Sequence, residues 1–192
     1  MTPNRTSTGV ILAAVPIESA DYFDLTGDEL RAVARFAAQA AQQVLPIFEQ
    51  VHPDDPRPRA GVEAAWIFVN GADRSKLQRV AATDAHRAAR AAATEAARHA
   101  AAAAGDAASA AYLHPFAKAT QVRHILRAAA HAARAAELVA SDPLIGDQRI
   151  QEALARATPT LVNVLSRYPA APPGRTRVAQ LMTRLDSSLR RE

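Results

Sequence analysis

The sequence predicts an all-α fold, a single-domain bundle of about six to seven helices. Alanine supplies 48 of the 192 residues, apolar positions recur at three- and four-residue steps, and no alternating strand pattern occurs outside the first 21 residues. Aromatic residues are only 5% of the chain, so the core is expected to be thin, with helices in close approach rather than wedged apart by rings.

No Gly/Ser linker or long charge run divides the chain, which points to one domain over residues 22–192 behind an N-terminal arm, 1–21. Val10, Ile11 and Leu12 are the expected anchors of that arm. The apolar run from Val10 to Val15 is too short for a membrane span and ends at Pro16. Only Arg5 precedes it, a poor signal peptide, so the expectation is a cytoplasmic chain with no membrane partner. The chain has no cysteine, so disulfides, thiolate metal sites and cysteine nucleophiles are excluded.

Thr26-Gly27-Asp28-Glu29 has capping-box spacing and starts the first helix, whose stripe runs from Leu30 through Val33, Ala37, Ala41 and Val44 to Phe48. Pro46 should bend or tighten its last turn. The corner "HPDDPRPR", residues 52–59, must turn, because each residue before a proline is pushed out of the helical region. Pro58 suits the first turn of a second helix that stops at Asn70-Gly71. Ser75 caps a third, expected over 76–104. Gly105-Asp106 reads as a turn, and 107–140 as a helical stretch interrupted at His114-Pro115. After a break at Ser141-Asp142-Pro143, a helix from Asp147 to Tyr168 with a kink at Pro159 is expected, then a stiff loop, Pro169 to Gly174. A last amphipathic helix carries Val178, Leu181, Met182, Leu185 and Leu189.

No catalytic constellation is evident, and no cofactor or metal is expected. There is no GxSxG, no Gly-rich phosphate cradle and no HExxH. His124 and His131 share one helical face, with His86 and His99 elsewhere, and the acids in the Ala-rich region that could support them include Asp84, Asp106 and Glu137. These histidines read as helix-surface or interhelical hydrogen-bonding groups.

The corner reads in two ways. Glu49 lies where the helix dipole is negative, so it needs a cation, and Arg57 or Arg59 is the nearest. That makes Glu49, Pro53, Pro56 and Pro58 a structural corner. Asp54 and Asp55 have only those two arginines close in sequence, so one acid should be left to face solvent or a partner.

"LPIFE" at 45–49, "HPDDPRPR", Trp66, "AHRAARAA" at 85–92 and "HPFAKATQVRHILRAAAHAARAAE" together resemble the immunity-five-like family of bacterial immunity proteins over residues 22–140. The sharpest element is P-x-D-x-R-P-R, formed by Pro53, Asp55, Arg57, Pro58 and Arg59. Some actinobacterial relatives carry an exonuclease label, which nothing in this sequence supports. The resemblance implies a protein that protects a cell from a toxin. The candidate contacts, taken from the charge of the corner and from the family pattern together, are Asp54, Asp55, Arg57, Arg59, His86, Arg90 and His114. Residues 142–192 depart from the shorter family pattern as additional C-terminal helices.

The expected partner is therefore a cognate toxin. A net charge of +4 fits an acidic partner face better than the basic face of a nuclease. One alternative is a pocket for a small apolar ligand walled by Trp66, Tyr112 and histidines. Another is weak nucleic-acid binding along Arg79, Arg87, Arg90 and Arg98, disfavoured by so small an excess of charge. The oligomeric state is left open.

Overall fold

The computed structural model describes residues 22–191, so the N-terminal arm and its three proposed anchors lie outside the described residues. Eight α-helices are present among them: α1 (Gly27–Val51), α2 (Arg57–Val69), α3 (Lys76–Ala91), α4 (Glu95–Ser109), α5 (Val122–Ala140), α6 (Pro143–Ala155), α7 (Pro159–Ser166) and α8 (Arg177–Leu189). A single isolated bridge, Tyr22 to Phe116, is the only β pairing in that range.

The capping box of α1 forms as the sequence predicts: Glu29 N–H donates to Thr26 Oγ1 and Thr26 N–H to Glu29 Oε2. Arg167 then clamps the same glutamate, joining the start of α1 to the end of α7. Pro46 is accommodated inside α1, which continues three residues beyond Phe48. Gly71, at φ +107°, ends the α2 segment in the left-handed conformation that glycine alone adopts freely.

The expected count of six to seven is too low, for local reasons. The predicted 76–104 helix is two helices, because Ala92 turns extended (ψ 136°) and Thr94 caps a fresh start by accepting from Ala97 N–H. Gly105-Asp106 is not a turn but lies buried inside α4. The interruption expected at His114-Pro115 is present and separates α4 from α5, with short 3-10 turns at Ala110–Tyr112 and Ala119–Gln121 on either side. Asp142 caps α6 through Leu144 N–H with Pro143 in its first turn, four residues before the predicted start at Asp147. Pro159 opens α7 behind the Thr158 cap rather than bending a longer helix.

α4 packs against α1, α2, α3 and α5. From Ala100 to Ala108 its residues are all buried. Larger side chains gather elsewhere: Ile125 and Leu126 on α5, Leu161 and Leu165 on α7, and Leu181, Leu185 and Leu189 on α8 are fully buried. Alanine thus supplies close approach around α4, and leucine supplies most of the apolar bulk of the C-terminal helices.

Candidate functional site

The corner is held from within. Arg59 Nη2 pairs with Glu49 Oε1 at 2.6 Å, the cation that the end of α1 requires. Asp55 takes Arg57 through two side-chain bonds, 2.8 and 2.6 Å, and also accepts from the Arg57 backbone N–H at 3.1 Å. Arg57 holds the Asp55 carboxyl below the usual carboxylate range, against the opposing effect of burial. Asp55, one residue ahead of the Pro56 N-cap, thus satisfies the first backbone N–H of α2. Asp54 is exposed, and no side-chain bond to it occurs among the described residues.

His52 was not singled out by the sequence, yet it anchors the corner. Its ring stacks on Phe48 at 4.8 Å, and its Nε2 accepts from Ala93 N–H at 3.0 Å, in the break between α3 and α4. The corner consequently sits against the end of α3 that carries Arg87 and Arg90. Because Glu49 and Arg59 stay partly solvated, their coupling in a double-mutant cycle of Glu49→Gln and Arg59→Ala should be about 0.5 kcal/mol. Strict additivity in urea unfolding would remove the pair from the account.

A second arrangement lies along the contact of α4 and α5. Asp106, 1% exposed, accepts from Arg127 Nε at 2.8 Å and from Arg127 Nη2 at 2.5 Å. His86 Nε2 stands 3.3 Å from Oδ1, the oxygen that Arg127 Nη2 also reaches, and His131 Nε2 stands 3.8 Å from Oδ2. Burial pushes the Asp106 carboxyl up, but the bonds from His86 and Arg127 outweigh it and hold the group below its ordinary value. His131 Nδ1 meets His99 Nδ1 at 2.8 Å, a bond that needs one donor and one acceptor nitrogen. Burial depresses both, His131 to about 4. Farther along α5, His124 faces Ser109 at 3.5 Å and is likewise lowered by burial to about 4.

Gly105 belongs to this arrangement. A Cβ there would stand 2.8 to 2.9 Å from three atoms of the His86 ring, so the glycine lets the imidazole lie flat on α4. Thr83, His86 and Arg90 of α3, Ala102 of α4, and Arg127 and His131 of α5 line an open groove of about 430 Å³. Arg98, with His86 and Arg90 again, lines a cavity that adjoins it through those shared residues. Among the described residues, no three His, Asp or Glu side chains are placed to hold a metal ion.

The candidate contacts therefore fall in three places. Asp54, Asp55, Arg57 and Arg59 are at the corner, and His86 and Arg90 line the groove. His114 is apart from both, stacked on Phe116 at 5.6 Å beside a cavity walled by Arg74, Lys76, Arg79 and Tyr112. Tyr112 hydroxyl donates to Ser75 O at 2.7 Å, and Trp66 Nε1 donates to Gln42 on α1 at 2.8 Å. The cavity at Tyr112 is thus cationic rather than the apolar one expected. The arginine stripe is also divided: Arg98 is on α4, Arg87 pairs with Asp84, and Arg79 lies over the Tyr112 ring.

A model of the family described as Imm-5 like putative immunity protein matches residues 25–159. The match runs past residue 140, where the motif resemblance stops, through α6 to the first residue of α7. No curated protein and no solved structure matches the chain.

Proposed function

The chain belongs to the Imm-5 like putative immunity protein family, and from that membership we propose that it neutralises a toxin by direct protein–protein binding, with no chemistry of its own. The corner supports this reading. Three prolines and the Glu49–Arg59, Asp55–Arg57 and His52–Ala93 contacts fix its backbone, while Asp54 is left to solvent. A surface ordered before encounter loses little entropy on docking. Asp54 calls for a cation or hydrogen-bond donor at its own contact on the toxin, while Arg90, which makes no ion pair among the described residues, favours an acidic patch beside that contact.

The test is co-purification with the product of the adjacent gene, together with growth protection of cells expressing that product. Asp54→Asn should leave the unfolding free energy within about 0.5 kcal/mol and weaken the complex about tenfold. Unchanged toxin affinity for Asp54→Asn would remove the corner from the interface. No complex with that product and no protection would end the binding reading.

A further inference from the structure

From the groove between α3, α4 and α5, we propose a second site on this protein, one that takes the dianionic head of a small phosphate monoester. Its construction starts with what is buried. A buried carboxylate with its arginine is usually no more stabilising than an apolar pair of similar volume. A glycine inside a helix costs about 1 kcal/mol against alanine. α4 carries both side by side, at Gly105 and Asp106, in a helix otherwise almost wholly of alanine at its buried positions. Together they hold two groups at the groove: Arg127, gripped through two bonds, and His86, laid on Gly105 and met by Asp106. Positions of this kind are set before a ligand arrives.

The charges of the groove are uneven. Arg90 and Arg98 are exposed and make no ion pair among the described residues, and Asp84 is taken by Arg87. Arg90, Arg98 and Arg127 bring three positive charges, and Asp106 offsets one. His131 stays neutral near pH 7, because burial lowers it to about 4. The surplus of two matches a phosphate monoester dianion, and guanidinium forks match its oxygens. The volume, about 430 Å³, falls within the roughly 300–1,000 Å³ of small-ligand sites. Nothing in this inference rests on toxin binding, and it is read on the isolated chain.

The probes are inorganic phosphate and ribose 5-phosphate, titrated calorimetrically into the full chain at constant ionic strength. Saturable binding of both is expected, with ribose 5-phosphate at least as tight. Replacing Arg90→Gln and Arg98→Gln together should weaken it about tenfold or more, equivalent to about 1.4 kcal/mol. Both residues are exposed, so an unchanged melting temperature separates this loss from unfolding. Absence of saturable binding in the millimolar range, or binding indifferent to the double replacement, would overturn the site. So would binding of a 5′-phosphorylated oligonucleotide with neither small anion bound, which would turn the groove into a nucleic-acid contact.

Discussion

Acidification from pH 7 to pH 5 is expected to remove on the order of 2 kcal/mol of stability for each of His124 and His131. Both are held neutral in the fold, with values lowered by burial to about 4. In the unfolded chain they take up protons below about 6.5. Between those limits the unfolded state binds more protons, so stability rises with pH and falls on acidification. His99 is lowered in the same direction and adds to the effect. The bond between His99 and His131 reinforces it, because protonating both rings would set two donors against each other. Asp106 acts at a lower pH. Its depressed carboxyl contributes above the unfolded carboxylate value, and that contribution disappears as the pH falls through the folded value. Urea unfolding at pH 7, 6 and 5 measures the slope, and His124→Gln should flatten it. A midpoint unchanged over that range would mean these rings are solvated.

Gly146→Ala should cost about 3 kcal/mol, far more than a surface glycine on a helix could. A Cβ at this position would overlap the Glu137 carboxylate and its Cγ. Glu137 is 2% exposed and cannot swing aside, because it accepts from Arg177 Nε at 2.9 Å, Arg177 Nη2 at 2.5 Å and Arg134 Nη1 at 3.0 Å. Arg177 in turn reaches Asp147, so one carboxylate ties α5 to α6 and α8. In a Glu137→Ala background the added methyl has room, and the second change should then cost little. Guanidinium unfolding of the single and double variants reads this directly. An equal cost in both backgrounds would place the strain in the α6 backbone instead.

How much of this the sequence discloses depends on the span of each interaction. Glu49 and Arg59 lie ten residues apart across an obligatory turn, so dipole and charge arguments suffice to pair them. The Thr26 box and the Ser75 cap are likewise local. Gly105-Asp106 is the opposite case. The pair is a common turn signal, and what overrides it lies in His86 and Arg127, 19 and 21 residues away on other helices. Polar residues at 124, 127, 131 and 134 do mark one face of α5, but nothing in the chain tells which buried acid they meet. The α3–α4 break was hidden for another reason. Ala91–Ala93 before Thr94 and Ala96-Ala97 after Glu95 are compatible with either one helix or two, and the His52 contact that holds Ala93 out of the helix is tertiary.

The alanine core has a consequence during synthesis. The segment that becomes α4 emerges from the ribosome carrying methyl groups where most buried helices carry leucine or phenylalanine. It can coil locally, since alanine is the best helix former, and until its neighbours arrive it displays little apolar area for other nascent chains to adhere to. The helix most completely enclosed in the finished protein is thus the one that tolerates waiting in water best.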